Sequence, residues 1–252
     1  MAANGLDRYK AATCTSSRTV AGKDIETASP PTGKREQRRL ERRRAILAVA
    51  TRLFLENGYH GTTMSGISAQ LGGSKGTLWH HFSSKEELFA AFLDESTATF
   101  RQELLAVLEP SRELRPALIA FTQQFMNKIS LPESIKLYRL IASESGRAPK
   151  VGRIFFKRVP AAVEQILGRF LEDHMNADRL RAADPARAAR VLIALSACSG
   201  HQQMLLGAPP VDLGDLQDES LQIVDMFLSL YAPADCAAVH GSPERVSRAS
   251  FR

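Results

Sequence analysis

Cysteine is scarce. Cys14, Cys198 and Cys236 are three thiols at irregular spacing in 252 residues, too few and too scattered for a disulfide framework, so reduced thiols are expected. No stretch approaches the roughly 18 consecutive apolar residues of a membrane span, and the N-terminus carries no apolar segment of the kind that directs export. A cytoplasmic protein with no membrane partner is expected. Strand-like alternation persists nowhere, and there is no internal repeat. A Gly-x-Ser-x-Gly elbow, a phosphate-binding Gly-x4-Gly-Lys loop and an HExxH pair are all missing. The expectation is therefore a non-enzyme with no catalytic residue, metal or cofactor.

What remains is helical and basic. With 44% hydrophobic and 24% charged residues the chain can build a substantial core in one or two domains. Its net charge of +6 is concentrated: Lys34, Arg35, Arg38, Arg39, Arg42, Arg43 and Arg44 stand against Glu36 and Glu41, a local excess of +5. Such a block suits phosphate neutralisation with release of counterions, and Arg43 is taken as one of its contacts. Before it, residues 1–33 are polar, rich in Ala, Ser and Thr, and expected to be a disordered tail; residues 232–252 are a second, flexible one.

Between the tails the spacing predicts helices only. Ile46, Ala50, Leu53 and Phe54 share one face of a first helix that ends at Asn57-Gly58, a good C-cap pair. Thr63 is the N-cap of a second helix, about Met64 to Leu71, and Ser74 caps a third, about Lys75 to His81. In the third, Leu78 and Phe82 face a small core while Lys75, Thr77, Trp79 and His80 face outward. A helix, a glycine turn (Gly72, Gly73) and a helix make a helix-turn-helix, whose second helix enters the major groove of DNA. Ser84-Lys85-Glu86-Glu87 is a capping box opening a long helix to about Leu108. Beyond Pro110, Pro116, Pro132, Pro149, Pro160 and Pro185 are expected near first turns, Asp184 is an N-cap for a helix reaching about Leu206, and Leu216 to Tyr231 is the last helix.

The run RRAILAVATRLFLENGYHGTTM, followed by TTMSGISAQLGGSKGTLWHHFSSKEELF, resembles the N-terminal domain of the tetracycline-repressor (TetR) family in its LF…GY…TT exit, its SKGTL-x-x-HF core and its SKEELF helix start. LYRLIASESGRAPKVGRIFF and ADPARAARVL resemble the AefR-like C-terminal type of that family. The resemblance implies an all-α homodimer: a three-helix DNA-binding domain (34–84) on a C-terminal helical ligand-binding and dimerisation domain (85–231). It implies a near-palindromic double-stranded operator, contacted by Thr63, Ser74, Lys75, Gly76, Thr77, Trp79, His80 and Lys85, with Thr63 and Lys85 on phosphates and Lys75 and Thr77 on base edges. It also implies an effector that releases the DNA by moving the fourth helix, most simply as a repressor. Trp79 stands where the family has Tyr, Gly73 where it has Val, and Gly66 lies inside the second helix.

Polar residues on otherwise apolar helices of the C-terminal domain, with nearby aromatics, mark the effector site: Tyr138, Glu144, Phe155, His174, His201, Gln202 and Met204. The effector is expected to be apolar or amphipathic. Small side chains from Ala186 to Leu206 (Ala188, Ala189, Ala194, Ser196, Ala197, Ser199, Gly200) beside Leu192 and Leu195, and Ile223, Val224, Phe227, Leu228 and Tyr231 on the last helix, suggest a four-helix dimer interface. The alternative is a dimeric small-molecule carrier or scaffold without sequence-specific DNA binding, and a third reading is an all-α enzyme using Glu144 or His174.

Overall fold

The computed structural model describes residues 33–72, 75–197, 200–209 and 213–233. Residues 1–32 and 234–252, which hold nearly all of both expected tails, lie outside the described residues, as do Gly73, Ser74 and Cys198. Every regular element among the described residues is helical: α1 (Lys34–Gly61), α2 (Met64–Gln70), α3 (Lys75–His81), α4 (Lys85–Val107), α5 (Leu114–Ser130), α6 (Pro132–Ser145), α7 (Pro149–Arg158), α8 (Pro160–Asn176), α9 (Pro185–Ala197), α10 (Gly200–Leu205) and α11 (Leu213–Tyr231).

Local chemistry sets most of these ends. Thr63 Oγ1 accepts the Gly66 N–H at 3.0 Å, as the N-cap reading requires. A Cβ on Gly66 would come within 3.2 Å of that hydroxyl oxygen, which accounts for a glycine inside so short a helix. Ser84 Oγ accepts the Glu87 N–H at 3.1 Å, but the returning arm of the expected box reaches one residue further back: Glu87 Oε2 takes the N–H and hydroxyl of Ser83, at 2.8 and 2.7 Å. Asp184 Oδ1 accepts the Ala186 N–H at 2.9 Å. Prolines open α6, α7, α8 and α9, where the missing N–H would have had no helical partner. Gly58, at φ 76° and ψ 175°, breaks α1 where the Asn57-Gly58 cap was expected; only glycine adopts that backbone readily. The expected helix from Asp184 to Leu206 is helical over α9 and α10, and residues 198 and 199 between them lie outside the described residues.

Two apolar clusters form the interior. One joins α5, α8, α9 and α11 through Leu118, Phe121, Leu167, Phe170, Leu192, Val224 and Phe227. The other joins α1, α2, α3 and the start of α4 to α6 and α7 through Ile46, Phe54, Tyr59, Ile67, Leu78, Phe82, Phe89, Ile141, Val151 and Phe155. Phe89 meets Phe54 and Tyr59 edge to face, each at 5.1 Å. Helix α4 contributes to both clusters, Phe89 and Phe92 to one and Phe100 and Leu104 to the other, so it is the physical connection between them.

Packing within the protomer takes up part of the expected dimer face. Ala188, Ala189, Leu192, Ser196, Ile223, Val224, Phe227 and Tyr231 are all buried in the protomer's own core. The large apolar side chains that α11 leaves outside are Leu221 (36% exposed), Met226 (49%) and Leu230 (53%), and Leu230 shares a surface hollow with Val191 and Arg187 of α9.

His174 is fully buried on α8, its ring 4.3 Å from that of Phe170, and neither ring nitrogen has a partner. Burial holds its pKa below the usual 6.5, with the charge of Arg179 acting the same way. The unfolded chain therefore binds a proton more readily, so stability is full above about pH 6.5 and falls as the solution is acidified below it. His174→Leu is expected to keep the helical circular dichroism spectrum and to raise the melting temperature at pH 5.5 by a few degrees relative to the parent. It should also shrink the difference in melting temperature between pH 8 and pH 5.5; an unchanged difference would rule His174 out as a source of acid sensitivity.

Candidate nucleic-acid interface and interior cavity

Helices α2 and α3 form the helix-turn-helix, with Gly72 at φ 62° in the turn between them. In α3, Leu78 and Phe82 point into the core; Gly76, Trp79 (49% exposed) and His80 are exposed and Thr77 is half-buried. The outward set expected from spacing is thus presented together. Lys75 starts α3, but its side chain, like Ser74, lies outside what the structure describes.

The basic segment of α1 flanks this helix. Arg43 lays its guanidinium 4.2 Å from the centre of the Phe82 ring and donates from Nη1 to the His81 carbonyl at 3.4 Å, so it braces the end of α3. His81 is held below the usual histidine range by burial first, and then by the charges of His80, Arg39, Arg43 and Arg42. Positive charge from α1 therefore converges on the end of α3. Arg39 forms an exposed pair with Glu36 at 2.8 Å, while Lys34, Arg35, Arg38 and Arg44 are exposed along the same helix.

A second cluster of polar contacts joins the helix-turn-helix to the rest. Lys85 Nζ donates to the Tyr59 carbonyl at 2.7 Å and the Thr62 carbonyl at 2.8 Å, and lies 4.1 Å from the centre of the Tyr59 ring. Burial lowers its pKa. Two of its three N–H donors are thus internal, which leaves one for an outside acceptor. Thr62 donates to the carbonyls of Gly58 and Leu53 at 2.8 and 2.9 Å. From α6, Glu144 accepts the His60 N–H at 3.2 Å and lies 3.2 Å from His60 Nδ1. A Cβ on Gly58 would come within 2.8 Å of Glu144 Oε1, so a side chain there would displace that carboxylate, in addition to the strain of its positive φ. Thr63 is exposed beside this cluster; its oxygen accepts from Gly66, and its hydroxyl hydrogen remains available to an acceptor.

Below the junction is a cavity of about 400 Å³. Its wall takes Thr51 and Leu55 from α1, Phe92, Thr97 and Phe100 from α4, Phe125 and Ile129 from α5, Leu137 and Tyr138 from α6, Phe155 from α7, Val163 from α8, Ile193 from α9 and His201 from α10. The lining is mostly apolar, with Lys128, Glu133 and Ser134 as further polar members. Tyr138 is edge-on to Phe155 at 5.1 Å and to His201 at 4.9 Å. Of the effector candidates read from sequence, Tyr138, Phe155 and His201 meet here. The others do not: Glu144 is at the α1 junction, His174 is in the core, and Gln202 is exposed. Met204 is buried, its carbonyl held by Arg139 at 2.6 Å.

Two family models match the chain: bacterial regulatory proteins of the tetR family over residues 46–92, and the C-terminal domain of AefR-like transcriptional repressors over residues 116–233. Among solved structures, the flavonoid-responsive regulator FrrA is similar with a TM-score of 0.69 and 30% identity, covering 77% of this chain and 98% of that one. The chain belongs to the TetR family. A TetR-family regulator from Mesorhizobium loti shares the fold, with a TM-score of 0.68 at 22% identity over 78% of this chain and 99% of its own. The transcriptional activator FasR of Mycolicibacterium smegmatis is 38% identical over 36% of this chain and 45% of its own length. The repressor AcnR of Corynebacterium diphtheriae is 46% identical over 23% and 30%. The chain thus spans less than half the length of either curated relative.

Sequence reading of this TetR-family chain missed the α1 and α4 contributions to the cavity, Thr51, Leu55, Phe92 and Phe100, and the inward role of Lys85. Glycine at position 58 was the available signal for a close tertiary approach, but nothing local named Glu144 as the partner. Lys85→Met would strand two helix-end carbonyls and should cost about 1–3 kcal/mol in urea or thermal unfolding. Lys150→Met, which removes only the exposed partner of Glu86, should stay within about 0.5 kcal/mol of the parent. Equal effects would show that the Lys85 contacts carry no stability.

Proposed function

We propose that the chain is a homodimeric, effector-responsive transcriptional regulator, a repressor that binds a near-palindromic double-stranded operator in the cytoplasm. The observation that carries this reading is the arrangement of α3: an exposed Gly76, Trp79 and His80 face, α1's basic residues at one end, and an apolar cavity behind the helices that hold it. Residues 34–84 act as the DNA-binding domain and 85–231 as the effector-binding and dimerisation domain. Lys75 and Thr77 read base edges, with Trp79 and His80 beside them. Arg43, Thr63, Ser74, Gly76 and the remaining N–H of Lys85 serve the phosphate backbone.

The effector is a small apolar or amphipathic molecule held in the cavity by Tyr138, Phe155 and His201 among others. The flavonoid response named for FrrA, a relative similar over nearly its whole length, supports an aromatic compound of that kind. Linkage follows from the shared walls. Helix α6 lines the cavity through Leu137 and Tyr138 and, two turns on, holds the end of α1 through Glu144; α4 lines it through Phe92 and holds the same end through Lys85. An occupant that shifts either helix changes the seat of the helix-turn-helix, so effector and DNA prefer different arrangements. The AefR-like repressor model and AcnR support repression, whereas FasR is an activator.

Selection from a random double-stranded pool should enrich a near-palindrome, bound in fluorescence anisotropy at about 150 mM salt more than roughly 10³-fold tighter than its shuffled copy. Weak binding that depends steeply on salt, with no sequence enriched, would overturn the reading and favour a carrier. The exposed Met226 and Leu230 beside Val191 support α9 and α11 as the dimer surface. Replacing both Met226 and Leu230 with Glu should halve the sedimentation mass and abolish tight operator binding without loss of helicity; a dimer that survives both changes would move the interface elsewhere.

A further inference from the structure

A second strongly basic stretch lies outside the helix-turn-helix. From Arg147 to Arg158 the sequence holds five basic residues and no acidic one. Two of the five are neutralised: Lys150 pairs with Glu86 at the start of α4, and Arg158 with Asp94 at 2.7 Å. Helix α7 thus runs beside α4 from Glu86 to Asp94. Arg147, in the turn between α6 and α7, is exposed and has no ion pair or side-chain hydrogen bond among the described residues.

The turn itself is held in place. The Glu144 carbonyl accepts the N–H of Arg147 at 3.1 Å and that of Ala148 at 2.8 Å, and Ala148 is buried. Each side of the turn is anchored next to a residue assigned to phosphate above. The Glu144 carboxylate accepts the N–H of His60, three residues before Thr63, and Lys150 holds Glu86, the neighbour of Lys85. Arg147 stands three residues from either anchor, and three residues of chain span at most roughly 10 Å. Lys85, whose pKa is lowered by burial, also feels the charges of Glu86, Lys150 and Glu144, so both anchors lie within its electrostatic reach.

We infer that Arg147 is a phosphate contact that the effector-binding domain supplies to the operator, beside those of Thr63 and Lys85. This rests on the reading of α2 and α3 as the operator-binding motif. Charge selects the partner. The two carboxylates that flank the turn are already engaged, Glu86 by Lys150 and Glu144 by His60, so neither neutralises Arg147. A guanidinium offers parallel N–H donors that match two phosphate oxygens, and it needs no base edge to do so. The position also has a consequence for linkage. Helix α6, which ends two residues before Arg147, lines the cavity through Leu137 and Tyr138. One helix then touches the effector along its middle and carries a DNA contact just past its end.

The test is fluorescence anisotropy of the full-length protein over a range of salt, on the duplex enriched from the random pool and on its shuffled copy. Arg147→Ala is expected to weaken binding to the enriched duplex by about threefold or more at about 150 mM salt. It should also lower the slope of log affinity against log salt by about two per dimer, one phosphate from each protomer. Arg147→Lys keeps the charge and should restore most of that slope. Lys157→Ala removes the same charge from an exposed position two turns along α7 from Lys150, and should leave the slope unchanged. The melting temperature of Arg147→Ala should match the parent, which separates loss of a contact from loss of the fold. Unchanged affinity and slope in Arg147→Ala, an equal fall in Lys157→Ala, or a slope that Arg147→Lys does not restore would overturn the assignment and leave the operator reading standing. A parent that fails to distinguish its enriched duplex from the shuffled copy would overturn both.

Discussion

Everything that the helix-turn-helix can do depends on how one helix end is satisfied. The carbonyls at the end of any helix lack intrahelical donors, and here the end of α1 is packed against α4 and α6, with Tyr59 and Thr62 buried. The chain meets the deficit with side chains from both neighbours. Lys85 supplies a cation to the carbonyls of Tyr59 and Thr62, Thr62 closes back on Gly58 and Leu53, and Glu144 takes the one exposed amide of His60. Because each bond is short and directional, the approach of α1 to α4 and α6 is defined within a narrow range. A softer, purely apolar contact would hold the three helices together but would not fix their angle.

The apolar interior complements that clasp. Phe54, Tyr59, Phe89 and Phe92 interlock around it, and α4 runs on into the second cluster, so a displacement near Phe100 is not absorbed locally. The cavity draws its lining from both clusters, Phe92 and Phe155 from one and Phe100, Phe125, Ile129 and Val163 from the other. Its wall draws on α1, α4, α5, α6, α7, α8, α9 and α10, so filling it touches the joints of the fold and not a peripheral groove.

How much of this could be read from residues depended on distance along the chain. Helix starts were legible at Thr63, Ser84, Asp184 and the prolines at 132, 149, 160 and 185, because caps and prolines act within one turn. The outward face of α3 was legible because Leu78 and Phe82 set its phase. The Glu144 to His60 contact was not, since its partners are 84 residues apart and only a tertiary approach brings them together. The cavity was half legible: an aromatic or histidine on an apolar helix can end in a void, as Tyr138, Phe155 and His201 do, or in solid core, as His174 does, and helical period alone does not distinguish the two. The same ambiguity bears on the dimer face. The widest apolar stripe of α11 turned inward because α5, α8 and α9 already offered it a core, leaving only its flanks outside.

Trp79 is the one tryptophan in the chain, and it stands exposed on α3, outside the cavity lining. The tryptophan emission of the protein therefore originates from a single point on the helix proposed to enter the groove. Nucleic acid arriving there would quench or shift that emission directly, whereas a compound entering the cavity could alter it only through movement of the helices between. The molecule carries its own optical reporter, placed where the two binding events give signals of different origin.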